Sequence, residues 1–351
     1  MRVALSIEHP AWAHQFKNII RRINSDGDTL VLAVKKDGDI RLLDAFGIKY
    51  HLMAESTGKN IFEKGLLFLF LCITYTYEIK KFNPDILIGR ASPMMAIAAK
   101  ILHKPHVIFE DTEVTKFSLK ICRKCSNVII TPRNFMTDLG ERQLRLPIYK
   151  ELFYLHEAEF TPNIEVVRRS GVNPEERYVI VRFISWNASH DIGLNGLNDQ
   201  QKVDFVHRLE KSIKVFVSSE DELPHELRKN ELKMPYEDIH HLLYYATVVI
   251  SEGASMASEA AVLGTHALYL NAIVSGTTKE QEERFGLLRV FHDSATRYNM
   301  ALLEVEKMLQ DESLWKKGKE KRKKLLCEMP NPNEVFLDEM KEAINEYEME
   351  R

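Results

Sequence analysis

The chain has 351 residues, 45% of them hydrophobic and 28% charged, with a formal net charge of −3 at pH 7. That length suits two domains of about 150 residues each, and the composition is that of a globular protein with proper cores. The near-neutral balance lacks the basic excess of a nucleic-acid binder, so no nucleic-acid partner is expected.

Short apolar runs alternate with helical periodicity from the first residue. Val3–Ile7 reads as a strand, followed by a helix through Phe16, Ile19, Ile20 and Ile23. The turn Asp26-Gly27-Asp28 leads into a second strand, Thr29–Val34, and a third lies near Ile48–Met53. Further strands are expected at Asp85–Ile88, His106–Phe109 and Asn127–Ile130. Apolar strands separated by helices imply a parallel sheet covered on both faces. The rhythm breaks between Thr131 and Asn173, a proline-containing stretch with no long periodic segment. It resumes with strands at Tyr178–Arg182, Ile213–Val217, Thr247–Ile250 and His266–Leu270. The tail reads as helices, and its charged segment Lys316–Lys324 as a solvated helix face. The expected organisation is α/β: a Rossmann-like domain over 1–150, a junction over 151–173, a second Rossmann-like domain over 174–330, and a C-terminal helix within 331–351. Two such domains facing across a cleft place ligands beyond the carboxyl ends of the strands.

The longest apolar stretch, Leu66–Ile73, is far short of the ~20 residues that span a bilayer. It reads as a buried helix, with peripheral membrane contact as the alternative. Of the four cysteines, Cys122 and Cys125 form a lone CxxC with no second pair or histidine run, so reduced thiols are expected and not a metal site. With no secretory signal visible at the N-terminus, a cytoplasmic location is expected.

The candidate chemistry follows the strands. After Thr247–Ile250 comes Ser251–Gly264, in which Gly253, Ala254, Ser255 and Met256 turn the chain into a helix. The free N–H groups and dipole of that helix start suit a diphosphate, and the Glu259 carboxylate, one turn on, suits ribose hydroxyls. The competing reading is an ordinary helix with Ser255 as N-cap. Walker and GxGxxG fingerprints are absent. His9 and His14, beside Glu8 at the start of the first helix, are candidate general bases, or groups that serve only the backbone. Glu110, Asp111 and Glu113 crowd carboxylates at a strand end, which suits proton transfer or polyhydroxyl binding, or else helix capping. Arg182, with Ser185, Trp186, Asn187, Ser189 and His190 behind it, offers fixed charge and a stacking surface, and Arg90 offers a second positive group. Asp26-Gly27-Asp28 and Asp37-Gly38-Asp39 look like DxD metal motifs but fit ordinary turns.

Gly253–Glu259, with Ala260, Ala261 and Gly264, resembles the nucleotide-binding motif of GT-B glycosyltransferases, shared with the peptidoglycan N-acetylglucosaminyltransferase and the non-hydrolysing UDP-N-acetylglucosamine 2-epimerases. Over nearly its whole length the chain is also similar to an uncharacterised prokaryotic GT-B-like family. The marks are Ile7–Pro10, Phe82–Asp85, Phe109–Glu113, Ile130–Pro132, Tyr154–His156 and Val181–Trp186. The resemblance implies an acceptor or catalytic N-terminal domain, a nucleotide-binding C-terminal domain and a final helix returning to the first. It implies that the segment before Glu259 holds a diphosphate, that Glu259 holds the ribose, and that Arg182 and Ser185 flank the phosphates, with Arg90, Trp186 and His156 as further substrate contacts. Two departures stand out: Glu252 where the family favours glycine, and His266 where it has proline. The expected function is metal- and cofactor-independent glycosyl transfer from a nucleotide-diphospho-sugar. The alternatives are a sugar-nucleotide 2-epimerase using Glu110, Asp111 and Glu113, and a non-catalytic binding or assembly protein.

Overall fold

Parallel pairing dominates the fold. In a computed structural model, which describes residues 1–35, 39–55, 61–113, 115–186 and 196–349, every named strand pairs in parallel. The first sheet contains β1 (Arg2–Ile7), β2 (Asp28–Val34), β3 (His51–Ala54), β4 (Ile86–Gly89), β5 (His106–Phe109), β6 (Val128–Pro132) and β7 (Gln143–Leu146), in the order β3-β2-β1-β4-β5-β6-β7. Between the strands run α1 (Pro10–Ile23), α2 (Asp39–Ala45), α3 (Ile61–Phe82), α4 (Pro93–Leu102) and α5 (Lys116–Cys125). Val3, Leu5, Ile86, Leu87, Val107 and Ile108 are fully buried, as expected of strands covered on both faces.

The chain divides into two units, Met1–Tyr154 with Met329–Arg351, and Leu155–Glu328. The stretch 131–173 is more structured than its prolines suggest. It supplies β7, α6 (Leu152–Leu155) and α7 (Ile164–Arg169). The second sheet is formed by β8 (Tyr178–Phe183), β9 (Lys214–Ser219), β10 (Val248–Ser251), β11 (His266–Tyr269) and the short β12 (Leu288–Val290), which periodicity did not reveal. Their order is β12-β11-β10-β8-β9. The helices are α8 (Asp199–Glu210), α9 (Ile239–Tyr245), α10 (Ala254–Val262), α11 (Gly276–Glu283), α12 (Arg297–Leu309) and α13 (Leu314–Glu328). The last helix, α14 (Pro332–Met349), belongs to the first unit. Its Phe336 ring lies 5.9 Å from both Phe16 and Phe153, and Asn333 Nδ2 donates to the Phe153 carbonyl at 2.8 Å.

Two expectations from the sequence need correction. Lys316–Lys324 is not merely a solvated face. Lys319 Nζ donates to the carbonyls of Tyr244 and Leu263, both at 2.9 Å, and Arg322 Nε to that of Val262 at 3.0 Å. These are the last carbonyls of α9 and α10, where cations meet the negative ends of helix dipoles. Nor is Leu66–Ile73 wholly buried. Leu71 is in the core, but Leu66, Leu69, Phe70 and Ile73 are exposed. Among the described residues no helix is long and apolar enough to cross a membrane, and all four cysteines are free.

His106 makes the first unit acid-sensitive. It is fully buried in β5, with Nδ1 3.0 Å from Ser126 Oγ, and burial pushes its pKa down to about 3. The unfolded chain takes up this proton near pH 6.5 and the folded chain does not, so stability falls as pH drops below 6.5 and continues falling toward 3. We expect the wild type to lose about 2 kcal/mol between pH 7.5 and pH 5 from this group. Urea titrations at the two pH values should show that loss in the wild type. It should shrink in His106→Asn, which retains a polar atom near Nδ1 without the titration.

Candidate functional site

In a doubly wound sheet the ligand crevice opens where the strand order reverses. In the second unit that point lies between β8 and β10, so the loops following Phe183 and Ser251 border it. Ser251 shapes the second loop: its Oγ accepts from the Gly253 N–H at 3.1 Å and donates to the Gly253 carbonyl at 2.7 Å. Gly253, not Ser255, is the N-cap of α10, and among the described residues no side chain caps this helix. By contrast, α8 and α11 both carry full capping boxes, at Asn198 and Ser275. The start of α10 therefore presents the amides of Ala254, Ser255 and Met256 with no side-chain cap, the arrangement that attracts phosphate oxygens. Glu259 lies on the second turn, with Oε1 3.2 Å from Nε2 of the buried His240 on α9. The contact is a close approach and not an aligned hydrogen bond, and sequence reading missed this neighbour.

Glu252, the residue that seemed to threaten a phosphate site, is buried. Its carboxylate accepts from the Ile184 N–H (2.9 Å), Trp186 Nε1 (3.1 Å) and the Tyr298 hydroxyl (2.6 Å). Burial raises its pKa against the lowering effect of those donors. It ties together the loops after β8, β10 and β12. Trp186 adopts a left-handed backbone (φ 48°), unusual for a bulky residue, and its indole lies 5.0 Å from the Arg297 guanidinium. A Cβ at Gly196 would collide with that indole. Trp186 is therefore a buttress of the loop. Asn187, Ser189 and His190 lie outside the described residues.

Arg182 lies one residue before the end of β8, and its charge is already matched. Its Nη1 donates to Ser218 Oγ at 2.8 Å and its Nη2 to Glu220 Oε1 at 2.7 Å. Ser185 gives both its N–H and its hydroxyl to Glu220 Oε2, at 3.1 and 3.2 Å. An incoming anion would share this guanidinium with Glu220 or displace it. His156 Nδ1 accepts from the Ala158 N–H at 3.2 Å, which organises its own turn. A cavity of about 490 Å³ opens between α8 and α12, lined by Gln201, Asp204, Arg208 and Asn299 among others, and does not include the α10 start.

In the first unit the order reverses between β1 and β4. Ser92 Oγ, the N-cap of α4, donates to Glu8 Oε1 across this point at 2.6 Å. Here the residues expected to be catalytic are mostly engaged in internal contacts. Arg90 is 3% exposed and is not a substrate-facing rim residue. It donates to Gln15 (3.0 Å), Glu110, Asp111 (2.5 Å) and Thr112 (3.1 Å). Glu110, 2% exposed, also accepts from the backbone N–H groups of Ala91, Asp111 and Thr112. Its lone pairs are spent on the loop, so it is a brace and not a free acid or base. Burial alone would raise the Asp111 carboxyl, but Arg90 and Lys150 outweigh it and hold Asp111 well below the usual carboxylate range. A group so acidic cannot donate a proton near neutral pH.

Glu113 is half-buried and accepts from the Met136 N–H at 3.2 Å. His14 is 7% exposed, with its ring 5.3 Å from both Phe46 and Tyr154, so it is a core histidine and not a cleft base. His9 is the exposed N-cap of α1, and its Nδ1 accepts from the Ala11 N–H at 3.2 Å. Its Nδ1 thus serves the first turn of the helix, as the backbone-serving alternative expects.

Comparison with known proteins agrees with this architecture. The fold is similar to that of UDP-GlcNAc 2-epimerase from Neisseria meningitidis bound to UDP-GlcNAc, with a TM-score of 0.69 at 10% identity over 97% of this chain and 100% of that one. S. aureus MnaA in complex with UDP gives 0.66 at 11% identity, over 98% and 97%. The spinosyn forosaminyltransferase SpnP gives 0.66 at 14% identity, over 98% and 99%. At such identities the likeness establishes the fold, a GT-B-type pair of α/β units shared by epimerases and glycosyltransferases. No curated protein matches the chain. One family model spans almost all of it, residues 1–343, and the chain therefore belongs to DUF354, a family of proteins of unknown function.

Proposed function

We propose that the second unit binds a nucleoside-diphospho-sugar at the carboxyl edge of its sheet. The diphosphate lies on the start of α10 and the ribose on Glu259. The observation that carries this reading is the combination at α10: a helix start without a side-chain cap among the described residues and, on the second turn, the Glu259 carboxylate beside the buried His240. The neighbours solved with UDP or UDP-GlcNAc support the same ligand class. The leaving diphosphate meets the amides of Ala254–Met256, so charge stabilisation needs no metal. The internal bonds of Glu110 and Asp111 weigh against their abstracting a proton in a 2-epimerisation, which leaves Glu113 as the acid of that cluster for such a role.

Glu259→Ala is expected to weaken UDP binding by about 10- to 100-fold, the worth of a hydrogen-bonded charged group, while leaving the melting temperature within a few degrees of wild type. Calorimetric titration is the test, and unchanged affinity in a folded variant would remove the ribose assignment. Incubation with a panel of UDP-sugars then separates the reactions. Release of UDP with an acceptor present marks transfer, a C2-inverted sugar marks epimerisation, and binding without product marks a binding protein.

A further inference from the structure

The exposed face of α3 is the largest feature that nucleotide binding does not use. Leu66, Leu69, Phe70, Ile73 and Tyr77 are between 54% and 70% exposed. They fall at helical spacing along one stripe of a 22-residue helix. Leu66, Leu69 and Ile73 follow the 3-4 rhythm of a helix–helix seam, with Phe70 and Tyr77 along its side. The opposite face of the same helix is committed to the core through Leu71, Tyr75 and Ile79. Beside the stripe, Thr74 and Thr76 turn their hydroxyl protons inward, to the carbonyls of Phe70 and Cys72. The stripe therefore offers water almost no polar group. At about 200 Å² for a fully exposed large side chain, the five expose on the order of 600 Å². That is at the upper end of the roughly 300–600 Å² of a monomer's largest apolar patch, and approaches the ~800 Å² per partner of a standard interface.

Charge selects the occupant. The stripe is nearly its own mirror image along the helix: Leu66 is placed as Tyr77 is, and Phe70 as Ile73 is. Glu63 and Lys64 lie at one end and Lys80 and Lys81 at the other, all four exposed. By helical spacing Glu63 falls on the side of the stripe and Lys64 away from it. A second α3 running antiparallel across a two-fold axis brings Glu63 of one copy to the lysine pair of the other at both ends. We propose that this face joins two copies of the chain, α3 on antiparallel α3, with the axis near Leu71 and Cys72. An isologous contact of this kind requires the same patch to complement itself. An anionic bilayer, the competing occupant, would engage Lys80 and Lys81 but leave Glu63 without a partner.

Sedimentation velocity on the full chain from 1 to 100 μM is the test. Wild type should move from monomer to dimer across this range, and Phe70→Glu/Ile73→Glu should remain monomeric at 100 μM with its UDP affinity unchanged. Glu63→Lys alone, and Lys80→Glu/Lys81→Glu together, should each weaken the dimer several-fold, and combining all three should restore it. Glu63 and Lys80 are too far apart on one helix to meet, so restoration reports a contact between copies. A wild-type monomer at 100 μM, or a combined variant as weak as its parents, overturns the proposal. So does a wild-type monomer that floats with phosphatidylserine vesicles and loses this on Ile73→Glu, which would assign the face to a membrane.

Discussion

Arg90→Ala is expected to destabilise the first unit by about 3–5 kcal/mol, the cost of leaving buried carboxylates without their cation. The guanidinium reaches Gln15, Glu110, Asp111 and Thr112 from one buried position. Its removal leaves Glu110 with backbone donors alone and Asp111 with Lys150, 3.4 Å away, as its nearest cation. Arg90→Lys should recover little, because a single ammonium cannot replace a planar fork that serves four acceptors. The measurement is a urea titration at pH 7.5. A loss below about 1 kcal/mol would mean that the cluster does not brace the β4 and β5 strand ends and that its acids are free for other work. UDP binding, proposed for the other unit, should persist wherever Arg90→Ala remains folded.

Gly318→Ala is expected to cost about 3 kcal/mol or more, beyond the usual range for a surface helix position. α13 crosses the end of α10 so closely that a Cβ at Gly318 would collide with the Gly264 carbonyl oxygen. Gly264 itself has φ +76°, a left-handed turn that glycine takes without strain. The neighbour is backbone, so neither side can yield by a change of rotamer. The helices must separate, and the Lys319 and Arg322 bonds to the last carbonyls of α9 and α10 go with them. Thermal unfolding of the variant should show a lowered midpoint. A midpoint equal to wild type would contradict the close crossing.

The strands were legible because a parallel sheet buried on both faces writes itself as short apolar runs, and β1, β5 and β10 do so plainly. β7 and β12 were not, since Gln143–Leu146 is half-polar and Leu288–Val290 is only three residues long. The α10 start was legible because turn chemistry is local: Ser251, Gly253 and the small residues after it act within a few positions. What escaped was pairing across the chain. Arg182 finds Glu220, 38 residues on, and Trp186 finds Glu252, 66 residues on. The acidic run Glu220–Glu222, directly after a strand, was the available signal, of the same kind that drew attention to Glu110 and Asp111. A titratable group at a strand end announces a polar cluster. Whether that cluster serves a ligand or the fold depends on partners that only the topology brings together.

Amide chemical shifts during a UDP titration test the central claim most directly, since the proposal places the diphosphate on specific backbone N–H groups. With wild-type protein labelled on nitrogen, the Ala254, Ser255 and Met256 amides should move downfield and saturate together at the calorimetric affinity. Uridine without phosphates should leave them nearly in place. If UDP binds tightly while these three amides stay fixed and the large shifts fall elsewhere, the α10 start is not the phosphate site.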